Sequence, residues 1–211
     1  MNTETYPARL EIDYAERRQR LTALVRVILA IPPLIILALI SASGSDTVTS
    51  GGEEVARQGA AGISAGLFMA TVLTLLFVKR YPRWWFNFLR EFTRFSGRVG
   101  AYLFLLTDEY PALEEEQGVH LELDFPDVER DLSRGLPLVK WLLAVPHYVV
   151  LVLLYVAVVV VTVLAWITIL VTGRYPRPLF DFVVGVGRWA LRVYAYAFLL
   201  ITDQYPPFRL G

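Results

Sequence analysis

Three kinds of side chain in this sequence could carry chemistry: a histidine in an apolar run, two aspartates in matching contexts, and clustered arginines. His147 directly follows Pro146, and Asp108 and Asp203 each stand in a Thr-Asp-x-Tyr-Pro motif. Ionisable groups within apolar segments often mark ion or proton paths, so His147, Asp108 and Asp203 form a candidate pathway. The plainer interpretation is that His147 donates a hydrogen bond to a neighbouring helix and that the aspartates sit in turns that end helices.

Catalytic and metal-binding patterns are missing from the sequence. It contains no cysteine and only two histidines, His120 and His147, which leaves little basis for a metal site. A glycine-rich phosphate loop, a serine nucleophile motif, paired catalytic carboxylates and a nucleic-acid-binding module are also missing. We therefore expect a noncatalytic protein with no cofactor, no metal and no nucleic-acid partner.

The composition favours a membrane protein. Hydrophobic residues make up 55% of the 211 residues, and the mean hydropathy is +0.49, which is too apolar for an ordinary soluble domain of this size. The 20 basic and 20 acidic residues cancel. Any electrostatic signal must therefore come from where the charges lie along the chain.

Apolar runs predict four membrane crossings. The first two are expected at about 21–40 and 63–78, separated by a polar loop at 41–61. As one straight helix the apolar run 136–172 would be about 55 Å long, whereas a bilayer core is about 30 Å thick. The sequence therefore predicts crossings at about 136–154 and 156–172, with a tight turn near Leu154 and Tyr155.

Basic residues orient these crossings. Arginines and lysines are dense before the first crossing, between the second and third, and after the fourth, whereas the loop at 41–61 carries only Arg57. Because cytoplasmic loops are enriched in Lys and Arg, we expect both termini and the middle segment to be cytoplasmic.

The chain repeats itself in order and in approximate spacing. The repeats are 1–113 and 119–208, and their matched segments align once the loop at 41–61 is removed. With an even number of crossings in each, they predict a pseudo-twofold axis along the membrane normal. The matched segments are Leu10–Tyr14 with Leu121–Phe125, Val25–Pro32 with Val139–Pro146, Arg80–Arg83 with Arg174–Arg177, and Ala101–Pro111 with Ala195–Pro206.

An amphipathic helix follows each predicted hairpin, at 84–106 and 179–201. Helical periodicity places arginines on one face and apolar side chains on the other, as in helices that lie in the headgroup layer. Guanidinium groups suit phosphate because they donate two hydrogen bonds at once. The predicted lipid-binding residues, including those of both Arg-Tyr-Pro-Arg motifs, are Arg80, Arg83, Arg90, Arg94, Arg98, Arg174, Arg177, Arg188 and Arg192.

Two alternatives stay open for these helices. They could be third crossings in each repeat, although each arginine at the bilayer centre would cost about 2.5–3.5 kcal/mol. The arginines could also simply pair with acidic residues such as Asp108, Asp203 or those at 114–116.

The segments 9–14 and 119–125 alternate apolar and polar residues with period two, which predicts two strands. These strands could pair with each other or cover the amphipathic helices as a small cytoplasmic cap.

The repeated Arg-Tyr-Pro-Arg, Ala-Tyr-x-Phe-Leu-Leu and Thr-Asp-x-Tyr-Pro motifs resemble those of the bacterial membrane family called domain of unknown function 4389 (DUF4389), across residues 6–208. The resemblance implies a multi-pass protein of the bacterial cytoplasmic (inner) membrane and no assigned activity. The expected fold is an all-α integral membrane protein with four transmembrane helices in two parallel repeats, two interfacial helices and a small β element.

The leading functional hypothesis is a noncatalytic scaffold or accessory subunit that binds anionic membrane phospholipid and docks a protein partner or a second copy of the chain. The alternative is a lipid or small-solute carrier or channel, with a path along the pseudo-twofold axis near His147.

Overall fold

The computed structural model describes residues 6–41, 45–50, 53–58, 63–112, 117–133 and 135–211. The predicted acidic partners at 114–116 lie outside these residues. The strands are β1 (Ala8–Ile12), β2 (Ser45–Ser50), β3 (Glu53–Gln58) and β4 (Val119–Leu123). The α-helices are α1 (Arg20–Leu29), α2 (Ile31–Ser41), α3 (Ile63–Leu73), α4 (Arg83–Leu103), α5 (Val128–Asp131), α6 (Lys140–Leu143), α7 (Val145–Thr172) and α8 (Arg177–Ala197).

The predicted turn at Leu154 and Tyr155 is wrong, because α7 continues through it as one helix of 28 residues. Neither glycine nor proline interrupts α7 after Pro146, so nothing breaks its backbone hydrogen bonds before Gly173. Gly173 ends it in the left-handed conformation, with φ of 74° and its N–H donated to the Ile169 carbonyl at 2.7 Å. The helix is about 42 Å long, which is the thickness of a bilayer including its headgroup layers rather than of the core alone.

The first repeat differs at the equivalent place. There α2 and α3 are separated by residues 42–62, which contain an antiparallel hairpin of β2 and β3 instead of the loop expected from composition. Residues Thr74–Val78 extend α3 as a π-helical turn, which ends at Lys79 in the left-handed conformation.

The two short strands predicted to form a cap do pair. Strands β1 and β4 are antiparallel, and their register places Leu10 opposite Leu121, Arg9 opposite Glu122 and Glu11 opposite His120. Leu10 and Leu121 hold the same position in the matched segments, so the centre of the pairing joins equivalent residues. We call β1 and β4 the cap.

The cap lies on the amphipathic helices, with β1 on α8 and β4 on α4. Close approach depends on glycine at two places: a Cβ on Gly97 would lie 3.1 Å from Leu121 Cδ1, and one on Gly187 would lie 3.2 Å from Leu10 Cδ2. Each strand therefore packs on the helix of the other half of the chain.

Both β1 and α7 pack on helix α8. Strand β1 runs beside it, since the Tyr6 hydroxyl reaches the Arg192 carbonyl at 3.2 Å and the Tyr14 hydroxyl reaches the Tyr175 carbonyl at 2.7 Å. Helix α7 also packs on α8, where the Trp189 indole reaches His147, and it buries a stripe with a spacing near seven residues. That stripe contains Leu151, Val158 and Ala165.

Two helical segments are long and apolar enough to cross a membrane, Arg20–Ser41 and α7, while Gly66–Val78 is a shorter apolar helix. Only 22% and 17% of the most apolar windows of the two segments are buried. The core helix of a soluble protein is mostly buried, whereas here side chains such as Val152, Val156 and Val171 are 61%, 62% and 71% exposed. This pattern favours association with a membrane.

Candidate functional site

The two aspartates of the Thr-Asp-x-Tyr-Pro motifs each pair with a buried cation. Arg26 forms an ion pair with Asp108, and its guanidinium lies 4.5 Å from the centre of the Tyr102 ring. In the second repeat Lys140 holds the position that matches Arg26. We call these two groups the charge clusters.

The Lys140 cluster is closed to solvent at the amine. Lys140 is 0% exposed, and its Nζ lies 2.6 Å from Asp203 Oδ1 and donates to the Thr202 carbonyl at 2.7 Å. The amine also lies 5.3 Å from the centre of the Tyr196 ring. Asp203 Oδ2 accepts the Ser133 N–H at 2.7 Å. This cluster ties the start of α6 to the chain that follows α8.

The Arg26 cluster has the same form. Arg26 also donates to the Tyr102 carbonyl at 2.9 Å, and Asp108 accepts the Gln19 N–H at 2.9 Å. Just before each aspartate the chain leaves its helix through a leucine with positive φ, Leu105 at 64° and Leu200 at 57°. The local backbone and the ion pair are therefore alike in both repeats.

His147 belongs to an aromatic packing group. Its side chain is fully buried, its ring stacks on Phe208 at 3.9 Å, and its Nδ1 accepts the indole N–H of Trp189 at 3.1 Å. The expected bond to a neighbouring helix therefore exists, but His147 is the acceptor rather than the donor. Asp108 contacts Arg26, whereas His147 and the Lys140–Asp203 cluster are linked, because the Tyr205 ring contacts both the His147 ring and Tyr196.

Four of the nine predicted lipid-binding arginines donate to backbone carbonyls within the protein. Arg94 Nε reaches the Leu121 carbonyl at 3.0 Å, and Arg188 Nε reaches the Leu10 carbonyl at 2.8 Å. These bonds fasten the cap to the helices below it. Arg98 donates to the Ala112 carbonyl at 2.7 Å, and Arg192 donates to the carbonyls of Arg209 and Gly211 at 3.3 and 3.2 Å.

Three further arginines lie near carboxylates. Arg90 pairs with Glu91 at 3.1 Å, Arg174 with Glu16 at 3.5 Å and Arg177 with Asp181 at 3.9 Å. These pairs are largely exposed, so each contributes little to stability.

The Arg-Tyr-Pro-Arg motifs form matching joints before α4 and α8. The Arg83 guanidinium lies 5.3 Å from the Phe125 ring centre, and that of Arg177 lies 4.9 Å from the Tyr14 ring centre. Each arginine thus stacks on an aromatic residue two positions after the cap strand of the other repeat. The Tyr81 hydroxyl donates to the Leu199 carbonyl at 3.0 Å, whereas the buried Tyr175 hydroxyl has no hydrogen-bond partner among the described residues.

One joint borders an open depression of about 590 Å³, lined by residues 79–83 and 125–129. We call this the basic joint surface; it presents Lys79, Arg80 and Arg83, with Asp127 and Glu129 opposite. Beside it, Trp84 is 69% exposed and stacks on Trp85 at 5.6 Å between ring centres. Positive charge next to exposed indole is typical of a membrane–water boundary.

A second space lies between α4 and α8, beneath the cap. This interhelix cavity has a volume of about 490 Å³. Its lining is mainly apolar and comes from the cap, α2, α4, α7, α8 and the turn after α4. The lining residues are Leu10, Ile12, Leu37, Ser41, Phe92, Thr93, Ser96, Gly97, Gly100, Ala101, Phe104, Leu106, Leu121, Tyr155, Val158, Val183, Val184, Val186, Gly187, Ala190, Leu191 and Tyr194.

Sequence reasoning missed Arg26 and Lys140 as the partners of the aspartates. The signal was present, because both repeats place a cation in the Val-Arg/Lys motif and an aspartate in the Thr-Asp motif. It also missed Arg18, which is buried and donates to the Leu106 carbonyl. Within the described ranges no group of three His, Asp or Glu side chains could hold a metal ion.

Comparison with known proteins gives one family and no individual relative. No curated protein matches the chain, and no solved structure does. Residues 137–209, which include α6, α7, α8 and Asp203, match the model of the family described as domain of unknown function (DUF4389), which supports the resemblance seen in the motifs.

Proposed function

We propose that this protein is a noncatalytic membrane component, built from a duplicated unit, that binds anionic phospholipid at one membrane face. The observation that carries the proposal is the basic joint surface, where Arg80 and Arg83 adjoin exposed Trp84 at the end of the apolar helix Gly66–Val78. Arginine pairs with lipid phosphate, and tryptophan prefers the same depth in the bilayer.

Matched contacts support the duplication. Arg94 and Arg188 bond to the carbonyls of equivalent leucines, and the two charge clusters place a cation on an aspartate and a tyrosine. The pairing of Leu10 with Leu121 in the cap is consistent with the pseudo-twofold axis that the repeats predict.

The pairing of the cap strands supports a location of both strands on the same side of the membrane. Because β1 and β4 share hydrogen bonds, the chain before the first apolar helix and the middle segment lie on the same side of any membrane. The C-terminal carbonyls bonded to Arg192 lie there too. With this side cytoplasmic, the orientation agrees with the positive-inside rule and with both termini in the cytoplasm of a bacterial cell.

The packing of β1, α8 and α7 supports a particular orientation of the helices relative to the membrane plane. Exposed Glu11 and half-exposed Arg9 lie on strand β1, which packs on α8, and α7 packs on α8 as well. If α7 stood upright across the bilayer, these charges would sit at midplane depth, at a cost of several kcal/mol. We therefore propose that α4 and α8 lie along the interface and that α7 lies beneath them in the acyl layer.

The arginines then divide into two roles. Arg94, Arg98, Arg188 and Arg192 hold the cap and the terminal segments, whereas Arg80 and Arg83 face the headgroup layer. Arg174 and Arg177 are the equivalents of the latter in the second repeat, where Glu16 and Asp181 partly neutralise them. Anionic lipid should accordingly prefer the first joint.

A matched pair of double variants tests the headgroup site. Arg80→Gln with Arg83→Gln removes two charges from the basic joint surface, while Arg17→Gln with Arg209→Gln removes two exposed charges that do not line it. The protein would be purified from vesicles of equal phosphatidylglycerol and phosphatidylcholine, and retained lipid counted by native mass spectrometry. Since each cation contributes about 1 kcal/mol near an anionic surface, removing two of them should lower the preference for phosphatidylglycerol about thirtyfold in the first variant.

The control should keep its preference. Equal losses in both variants would mean that the attraction is a diffuse effect of charge, and no loss in either would refute the headgroup site.

A carrier of apolar molecules is the second candidate, and the interhelix cavity favours it. A flux assay in liposomes separates the two, because a carrier should move lipid between leaflets and a scaffold should not. The Phe208 ring stacked on His147 would block a path there. If the protein is a carrier, His147→Ala should therefore alter the flux, and if it is a scaffold there should be no flux to alter.

Docking of a protein partner on the charged outer face of the cap is a further proposal, which copurification in mild detergent would test.

A further inference from the structure

We propose that the interhelix cavity is a binding site for one acyl chain of a membrane phospholipid. The proposal deepens the lipid binding proposed above and rests on the apolar helices lying in the bilayer. It concerns the tail of the lipid, and it is independent of the arginines that would hold the headgroup.

The lining of the cavity suits hydrocarbon and little else. Two of its hydroxyl groups are engaged locally, since Thr93 donates to the Leu89 carbonyl at 2.6 Å and Ser96 donates to the Phe92 carbonyl at 2.8 Å. Both therefore offer a ligand fewer hydrogen bonds, and the rest of the lining is mainly aliphatic or aromatic. The site thus has little means of recognising a headgroup or a polar solute.

The volume of about 490 Å³ lies within the range of small-molecule sites. Large apolar cavities stay dry in water, because a water molecule there would lack hydrogen-bond partners. In a bilayer the surrounding solvent is itself hydrocarbon, so filling the cavity with an acyl chain removes a void without dehydrating any polar group.

The cavity reaches the surface that would face the acyl layer. Ser41 is exposed and Tyr155 is 44% exposed, and both line the cavity at α2 and α7. The neighbouring α7 side chains Val152 and Val156 are 61% and 62% exposed. The cavity is therefore continuous with the apolar outer face of α7, and a chain from the bilayer can enter between α2 and α7.

Gly100 allows a direct test. Gly100 lines the cavity, and a Cβ added there meets no atom within 4 Å, so Gly100→Leu begins its side chain in open space and improves the helix propensity of α4. Gly66→Leu is the matched control, because a Cβ there also meets nothing within 4 Å and Gly66 does not line the cavity.

Each protein would be reconstituted in phosphatidylcholine vesicles containing a small fraction of phosphatidylcholine with a diazirine at the end of one chain. After illumination, peptide mass spectrometry would locate the lipid adducts. We expect adducts on the cavity face of α4 and α8 and on the outer face of α7. Gly100→Leu should lower the cavity adducts by about tenfold and leave those on α7 unchanged, while Gly66→Leu changes neither.

Adducts confined to α7 in the natural protein, or cavity adducts unaffected by Gly100→Leu, would overturn the tail site. The neutral headgroup separates this result from the proposed function, since Arg80→Gln with Arg83→Gln should leave the cavity adducts in place. If α7 itself acquires no adducts, the membrane placement has failed as well.

Discussion

Removing Asp203 should destabilise the protein far more than removing its partner Lys140. In Asp203→Ala the Lys140 ammonium stays fully buried with only the Thr202 carbonyl as a hydrogen-bond acceptor. Leaving a buried charge without its counter-ion costs about 3–5 kcal/mol. For a chain of this length that corresponds to a fall in Tm of about 6–20 °C.

Lys140→Met removes the buried ammonium itself, so no unpaired positive charge is left in the interior. The remaining Asp203 side chain is 19% exposed and still accepts the Ser133 N–H at 2.7 Å. The expected cost is about 1–3 kcal/mol, typical of losing one hydrogen bond to a charged group. In the Lys140→Met background, Asp203→Ala should add only about 1 kcal/mol, because the ion pair is already absent.

Thermal unfolding in a mild detergent, followed by intrinsic fluorescence, measures all three variants at one protein concentration. Asp181→Ala serves as the control, since its pair with Arg177 is long at 3.9 Å and exposed, and its loss should cost less than about 1 kcal/mol. If the effects of Asp203→Ala and Lys140→Met simply add in the double variant, the two side chains are not coupled and the reasoning is wrong.

Three further outcomes follow from the hydrogen bonds. Arg188→Gln should weaken the attachment of β1 by about 1–3 kcal/mol and speed amide exchange in the cap, whereas Arg90→Gln should not; equal exchange in both would contradict the fastening role. Tyr81→Phe leaves a buried carbonyl unpaired and should cost about 1–3 kcal/mol, while Tyr175→Phe should cost less than about 1 kcal/mol, as thermal unfolding would show. Burial raises the pKa of Tyr175 from 10.0 to about 12, so stability should fall as the pH rises from 10.0 towards 12, less so in Tyr175→Phe; identical pH profiles would refute this.

The cap shows how much of this molecule could be predicted from local sequence. Alternation with period two predicted β1 and β4 as equivalent strands that pair with each other or cover the amphipathic helices, and in the structure they do both. The prediction worked because strand periodicity is a local property and antiparallel pairing of two like segments satisfies a simple symmetry.

The arginines show where local reasoning ended. Helical periodicity placed Arg90, Arg94 and Arg98 on one face of α4, but it could not tell what that face meets. Contact with the cap depends on residues far away in sequence, so only the tertiary structure separated arginines that bond to carbonyls from those that face outward. The charge clusters could not be predicted for the same reason. Lys140 and Asp203 are 63 positions apart in the sequence, so their contact is not a local property.

The sequence by itself determined the apolar helices, the repeated joints and the two strands, because hydrophobic periodicity, proline and glycine act over a few residues. Only the tertiary structure decided that α7 runs unbroken, that its inner stripe lies against α8, and that α4 and α8 leave a cavity between them. Such features depend on how distant surfaces fit together, and a helix without a breaker continues or folds back according to what packs beside it.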